Sequence, residues 1–231
     1  MEPTYQWILR LVVVRARARS AGLDEPSLGR AVRTLASRDP DLARVVERHG
    51  PPPLWPREPG FQTLARIILE QQVSLTSGEA AFNRLERAAG TVDPAAVVKL
   101  GEAGARAAGL TRQKARYLVA LAQVVLDGSL DLSAIEISTD DAVREALIAV
   151  PGIGPWTIDV YLLMALRRPD AWPTADIALA ASAQFVKRLP ARPTFVELDR
   201  MAESWRPWRA VAARLLWHSY LSGDRPRPRP A

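Results

Sequence analysis

The chain has 231 residues, 48% of them hydrophobic, which is enough to bury a core as one large domain or two small lobes and excludes disorder of the whole. It contains no cysteine, so disulfides, thiol catalysis and any cysteine-held zinc or iron–sulfur centre are excluded together. With 31 Lys+Arg against 25 Asp+Glu the net charge is +6, a balance that favours an anionic partner such as nucleic acid and an intracellular setting.

Residues 1–22 hold the apolar run "WILRLVVV", but Arg10 interrupts it and the basic residues follow it. That is neither a signal peptide nor a membrane span, and strand, helix and frayed extension all remain open there. Residues 23–223 read as a helical domain. "DPDLARVVERHG" supplies Asp39 as a cap, Pro40 at the first helical position and Gly50 as the stop, giving a helix of about ten residues. The prolines of "GPPPLWPREPG" make a connector. "FQTLARIILEQQ" then sets Phe61, Leu64, Ile67 and Ile68 on one stripe, and "SLTSGEAAFNRLERAAG" and "TRQKARYLVALAQVVLDG" repeat the pattern, each closed by glycine. "TDDAVREALIAV", capped by Thr139 or Asp140, leads into "PGIGPWT". Beyond it "PWTIDVYLLMAL", "DIALAASAQFVKRL", "TFVELDRMAESW" and "RPWRAVAARLLWHSYL" follow with Pro and Trp at the joints. Strand alternation between hairpin turns is not apparent, so the expected fold class is all-α. The alternating Arg and Pro of residues 224–231 predict a flexible basic tail.

The turn between Ile148 and Trp156 is where the chemistry concentrates. Gly152 and Gly154 permit positive φ and leave the backbone bare, so the first amides of the following helix can face an anion with the helix dipole behind them. Such a nest holds a phosphate without reading sequence. The same pattern also serves a tight helical corner. Asp176, in "PTAD" ahead of an apolar helix, is a natural N-cap and equally a carboxylate placed at the mouth of a cleft. Asp159 and Asp170 are its neighbours in sequence, the first expected to be solvated or structural. His49 and His218 lack partners at metal spacing; surface or packing roles are expected for both, and no catalytic metal.

"PGIGPWT" followed by "DAWPTAD" resembles the helix–hairpin–helix DNA glycosylase superfamily. "RIILEQQVS", "GLTRQKARYLVALA" and "AESWRPWRAVAARLLW" narrow the resemblance to its 3-methyladenine DNA glycosylase II branch, in the expected order from about Pro40 to Tyr220. The resemblance implies a two-lobed helical fold with the cleft between the lobes, in a compact form without the N-terminal β domain of the bacterial enzyme. It implies that Asp176 is the catalytic carboxylate and that residues 147–160 form the DNA-binding hairpin, with Gly152, Ile153, Gly154, Trp156 and Thr157 at the phosphate. Gln72 falls at the position that plugs the duplex when a base is flipped, although a loop glutamine capping a helix end is the plainer role.

Trp156 and Trp208 match pocket aromatics, while Val160 stands where a pocket tyrosine is found and puts base preference in doubt. Trp55, Trp172, Trp205 and Trp217 read as core fillers. In the lyase members a lysine stands two residues after the second hairpin glycine; here Trp156 does, which implies a monofunctional enzyme. No cofactor is required, no iron–sulfur cluster is held, and a structural monovalent cation at the hairpin carbonyls is compatible with the family. The implied setting is a monomer on double-stranded DNA carrying alkylated bases, with no membrane, in the bacterial cytoplasm at the nucleoid. Two other functions fit the same residues: a glycosylase for deaminated or mismatched bases, and a non-catalytic DNA-binding module.

Overall fold

The computed structural model describes residues 22–224, so the expectations for residues 1–21 and 225–231 lie outside the described residues. The described residues form helices and no strand. In chain order the helices are α1 (Glu25–Arg38), α2 (Pro40–His49), α3 (Phe61–Glu70), α4 (Leu75–Ala89), α5 (Pro94–Ala107), α6 (Arg112–Leu126), α7 (Leu132–Ile137), α8 (Asp140–Ile148), α9 (Pro155–Met164), α10 (Ile177–Val186), α11 (Phe195–Glu203) and α12 (Arg209–Leu221).

Side-chain caps start most of them. Asp39 accepts from the amides of Asp41 and Leu42, Ser74 from Ser77, and Thr139, not Asp140, caps α8 through the amide of Ala142. Helices α1, α5 and α7 were not legible as separate periodic runs, yet each begins at an aspartate cap, Asp131 in the case of α7. Asp24 and Ser27 make a reciprocal capping box ahead of α1, and Asp93 caps α5 with Pro94 at its first position.

The helices fall into two packed groups. Helices α3 to α9 pack in one lobe, built on the α3–α4, α5–α6, α3–α6, α3–α9 and α8–α9 pairs. Helices α1, α2, α10, α11 and α12 pack in the other, with α12 at their centre. The stripe foreseen on α3 is buried in the core throughout.

The joint between the lobes is polar and built on the end of α9. Arg214 of α12 is fully buried, at 0% exposure, and donates to the carbonyls of Leu163 at 2.8 Å, Leu54 at 3.0 Å and Ala210 at 3.3 Å. Burial lowers its pKa to about 10, so it stays charged at neutral pH, where a cation facing the C-terminal carbonyls of α9 is favourable. Two connectors dock at the same place: Leu23 N donates to Arg167 O and Arg57 N to Met164 O. Asp224, assigned by sequence to the tail, is instead buried and held by His49, Arg48 and Ser219.

Candidate active site

The turn between α8 and α9 is closed by two short bonds, Val150 N to Leu147 O and Ile153 N to Val150 O, both 3.1 Å. The two glycines in it differ. Gly152 has φ 88°, and a Cβ there would run into the ring of Tyr117, so the fold itself requires glycine. Gly154 has φ −103° and open space where a Cβ would stand, so no described residue requires glycine there. Positive φ, expected at both, is used at one. Among the described residues no side chain caps α9 and no carbonyl meets the amides of Trp156 and Thr157, while Pro155 has no N–H. The positive end of α9 is therefore bare beside an uncrowded Gly154, the geometry an anion needs.

Two of the hairpin residues expected at the phosphate do not face it with their side chains. Ile153 is buried in the core and its amide is spent inside the turn. Thr157 is 1% exposed, and its hydroxyl accepts a hydrogen bond from Gln71 Nε2 at 2.8 Å. Only its main-chain N–H remains for a ligand.

Asp176 begins α10, preceded by Ala175 in the left-handed region at φ 59°. Its Oδ1 accepts from Leu179 N at 2.8 Å, the ordinary N-cap bond, and from Trp217 Nε1 at 3.4 Å. Its Oδ2 accepts from Trp156 Nε1 at 2.8 Å. The carboxylate is thus a cap with one oxygen, while the other reaches across to the first turn of α9. At 7% exposure it is held by three N–H donors between the two lobes. Trp217, expected as a core filler, belongs to this constellation; no spacing argument links α12 to Asp176, so only folding brings them together. Trp172 and Trp205 are core residues as foreseen.

The remaining aromatic expectations divide. Trp208 stands half-buried at the start of α12 and makes no hydrogen bond to Asp176. Val160 is 4% exposed within the core-facing part of α9, so no opening at its position is visible in this arrangement. Tyr161 points away from it, its hydroxyl accepting from Gly60 N at 2.9 Å. Gln72 lies exposed in the turn after α3 with φ 57° and makes no hydrogen bond to the described chain, so it does not cap a helix. Its neighbour Gln71, which sequence reasoning passed over, is the engaged one: Nε2 donates to Gly152 O at 2.9 Å as well as to Thr157.

The rival acids are occupied elsewhere. Asp159 is 1% exposed and so not solvated; it pairs with Arg144 at 2.6 Å and faces Thr174 at 3.5 Å. Burial raises its pKa, with Arg144 opposing. Asp170 is bound by Arg206 and Arg209. His49 and His218 meet after all, edge to face at 6.0 Å, with His49 Nε2 2.5 Å from Asp224 Oδ2. They join α2 to the end of α12. Among the described residues no cluster of His, Cys, Asp and Glu could hold a metal ion, and no helix is long and apolar enough to cross a membrane.

Comparison with known proteins gives this geometry a family. Residues 65–208 match the model of the HhH-GPD superfamily base excision DNA repair protein, and the chain belongs to that superfamily. It is 25% identical over 221 residues to DNA-3-methyladenine glycosylase 1 of Schizosaccharomyces pombe, covering 94% of this chain and 91% of that one. It is 32% identical over 114 residues to DNA-3-methyladenine glycosylase 2 of Escherichia coli, covering 49% of this chain and 37% of that one. The chain spans 65% of the length of a Bacillus subtilis relative to which it is 26% identical. Among solved structures, the S. pombe 3-methyladenine DNA glycosylase in complex with abasic DNA superposes with a TM-score of 0.78 at 24% identity, over 86% of this chain and all of that one, a likeness of fold. A DNA-3-methyladenine glycosidase from Bacillus halodurans superposes with a TM-score of 0.68 at 27% identity, over 82% and 88%.

Proposed function

We propose that this chain is a monofunctional DNA glycosylase that releases alkylated bases such as 3-methyladenine from double-stranded DNA, acting as a monomer at the bacterial nucleoid. The observation that carries the proposal is the Asp176 carboxylate, held between the lobes by Trp156, Trp217 and the Leu179 amide.

In this reading the bare amides at the start of α9 grip a backbone phosphate, and Gln72 enters the gap left by the flipped nucleotide. The C1′–N bond breaks with its electron pair going to the base, so a cationic methylated purine leaves neutral. Positive charge builds on the deoxyribose, and the ionised Asp176 stabilises it and orients the incoming water; the proton that water loses passes to the carboxylate or solvent. Indole faces on Trp156 and Trp217 suit a cationic base. No metal enters any of these steps. A monovalent cation would be held by hairpin carbonyls; the oxygens of Val150 and Gly152 each accept one hydrogen bond and keep a second lone pair, which fits such a hard ion.

The lysines support the absence of lyase chemistry. The chain has three, and none lies in the hairpin. Lys187 is bound by Asp39 and Asp41, Lys99 lies on the surface of α5, and Lys114 donates to Leu69 O at 2.7 Å. The test is incubation with methylated duplex, with chromatographic identification of released bases and borohydride present in a parallel sample. Free 3-methyladenine, intact abasic strand and no covalent adduct are expected. A trapped adduct overturns monofunctionality, release of uracil alone overturns the substrate class, and no release at all leaves a DNA-binding module.

A further inference from the structure

The turn that carries Gln72 is fastened to the hairpin. Gln71, immediately before it, is the C-cap of α3, and its side-chain amide donates both to Gly152 O at 2.9 Å and to Thr157 Oγ1 at 2.8 Å. These two acceptors flank the bare N-terminus of α9. From the other side, Lys114 of α6 donates to Leu69 O at 2.7 Å and holds the end of α3 itself. Tyr117, one helical turn further along α6, packs against Gly152, and its hydroxyl accepts from Gln113.

This fastening answers a difficulty in the turn. Gln72 adopts φ 57° without being glycine, is exposed, and has no hydrogen bond of its own to the described chain. Left alone, such a residue relaxes toward ordinary backbone angles, and its side chain would sweep a wide range. A plug is useful only if it already points at the gap when the phosphate is seated.

Resting on the reading of Gln72 as the plug, we propose that Gln71 is the positioning residue that makes the plug turn and the phosphate-binding hairpin one rigid unit. Gripping the backbone then places Gln72 at the base stack with no separate ordering step. Gln71 touches neither substrate nor reacting atoms. Its action is through Gln72, and it shows in the preference for a duplex whose stack is already open.

The test needs no chemistry on a base. Equilibrium binding is measured for an intact duplex and for one carrying a tetrahydrofuran abasic analogue, with 2-aminopurine opposite the gap reporting entry of the plug. Wild type prefers the abasic duplex and perturbs the fluorescence. In Gln71→Ala the intact-duplex affinity is expected to stay within about twofold, while the preference falls on the order of tenfold, as loss of two hydrogen bonds allows, and the fluorescence change is lost. Thr157→Val removes one of the two acceptors, should lower the preference by less, and should add nothing on top of Gln71→Ala. Circular dichroism and melting confirm that each variant folds.

Unchanged preference in Gln71→Ala, equal loss on both duplexes, or additive effects of the two substitutions would overturn the tether. Absence of any abasic preference in wild type overturns it together with the plug. Base release from methylated duplex is scored separately. A tether seen without release leaves the coupling standing and removes the glycosylase reading; release with an unaffected Gln71→Ala does the reverse.

Discussion

Trp156 Nε1 lies 2.8 Å from Asp176 Oδ2, so the residue at the head of α9 and the carboxylate at the head of α10 are joined by a charge-assisted hydrogen bond between the lobes. The same residue therefore leaves its backbone amide at the bare start of α9, where a phosphate is proposed to sit, and gives its ring nitrogen to the Asp176 carboxylate. Trp156→Phe keeps a ring and removes the donor. A bond to a charged group is worth about 1.5–3 kcal/mol, so single-turnover base release is expected to fall roughly tenfold or more while duplex affinity holds. Wild-type turnover in this variant would show that the bond does not orient Asp176 for the reaction.

Asp176 caps α10 and, in the proposed mechanism, also supplies the reacting carboxylate, and two substitutions separate the duties. Asparagine also caps, so Asp176→Asn should melt near wild type, while release slows on the order of 10²-fold for want of one electrostatic group. Asp176→Ala loses the bond from Leu179 N as well and should cost about 1 kcal/mol of stability in addition. Melting curves and single-turnover release on the same preparations give both numbers. Near-normal release from Asp176→Asn would remove this residue from the chemistry.

How far the sequence foretold this site depends on distance along the chain. The helices with strong periodicity and punctuation, α2 at Asp39–Gly50 above all, were legible because caps and stops act within a turn of the residue that signals them. Gly152 and Asp176 were legible for the same reason: a tight turn and a cap are local demands. Trp217 was not, because its ring nitrogen meets Asp176 across 41 residues of chain and one full lobe packing, for which no periodicity exists. Of the adjacent pair Gln71 and Gln72, the resemblance singled out only the second. Only the left-handed backbone at Gln72 turns one side chain inward to the hairpin and the other out to solvent. The histidines show the converse: 169 residues apart, they read as unrelated, and packing of α2 on α12 made them neighbours.

Asp159 gives a pH dependence of definite sign. Burial raises its folded pKa above the ordinary 3.8 despite Arg144 beside it, so the native state binds this proton more tightly than the unfolded chain does. Such a group contributes stability that is fully present below its unfolded pKa and is lost as pH rises through the raised folded value. Asp159→Asn cannot ionise. Its stability relative to wild type should therefore increase as pH rises from about 4 through that value and level off beyond it, with Arg144 still hydrated through its exposed part. Urea titrations across this range read the difference directly. A relative stability that falls with rising pH would mean that the Arg144 pair, not burial, governs Asp159.

The two hairpin glycines make the most discriminating pair of substitutions. At Gly152 the backbone is at φ 88° and the Tyr117 ring occupies the space of a side chain, so Gly152→Ala must disturb the fold before it can say anything about DNA. Strain at positive φ and overpacking each cost roughly 1–3 kcal/mol, and the melting temperature should drop accordingly. At Gly154 the φ is −103° and the surroundings are empty, so Gly154→Ala should melt like wild type. Gly154→Val adds bulk next to the bare start of α9, so, on the proposed phosphate contact, duplex affinity should weaken by a similar factor for every sequence. The salt dependence should flatten if the displaced contact is one phosphate, by about one unit in the slope of log affinity against log salt. Salt-series binding isotherms on two unrelated duplexes settle it. A folded Gly154→Val protein with wild-type affinity would place the DNA backbone away from α9, and with it the whole approach of the duplex to Asp176.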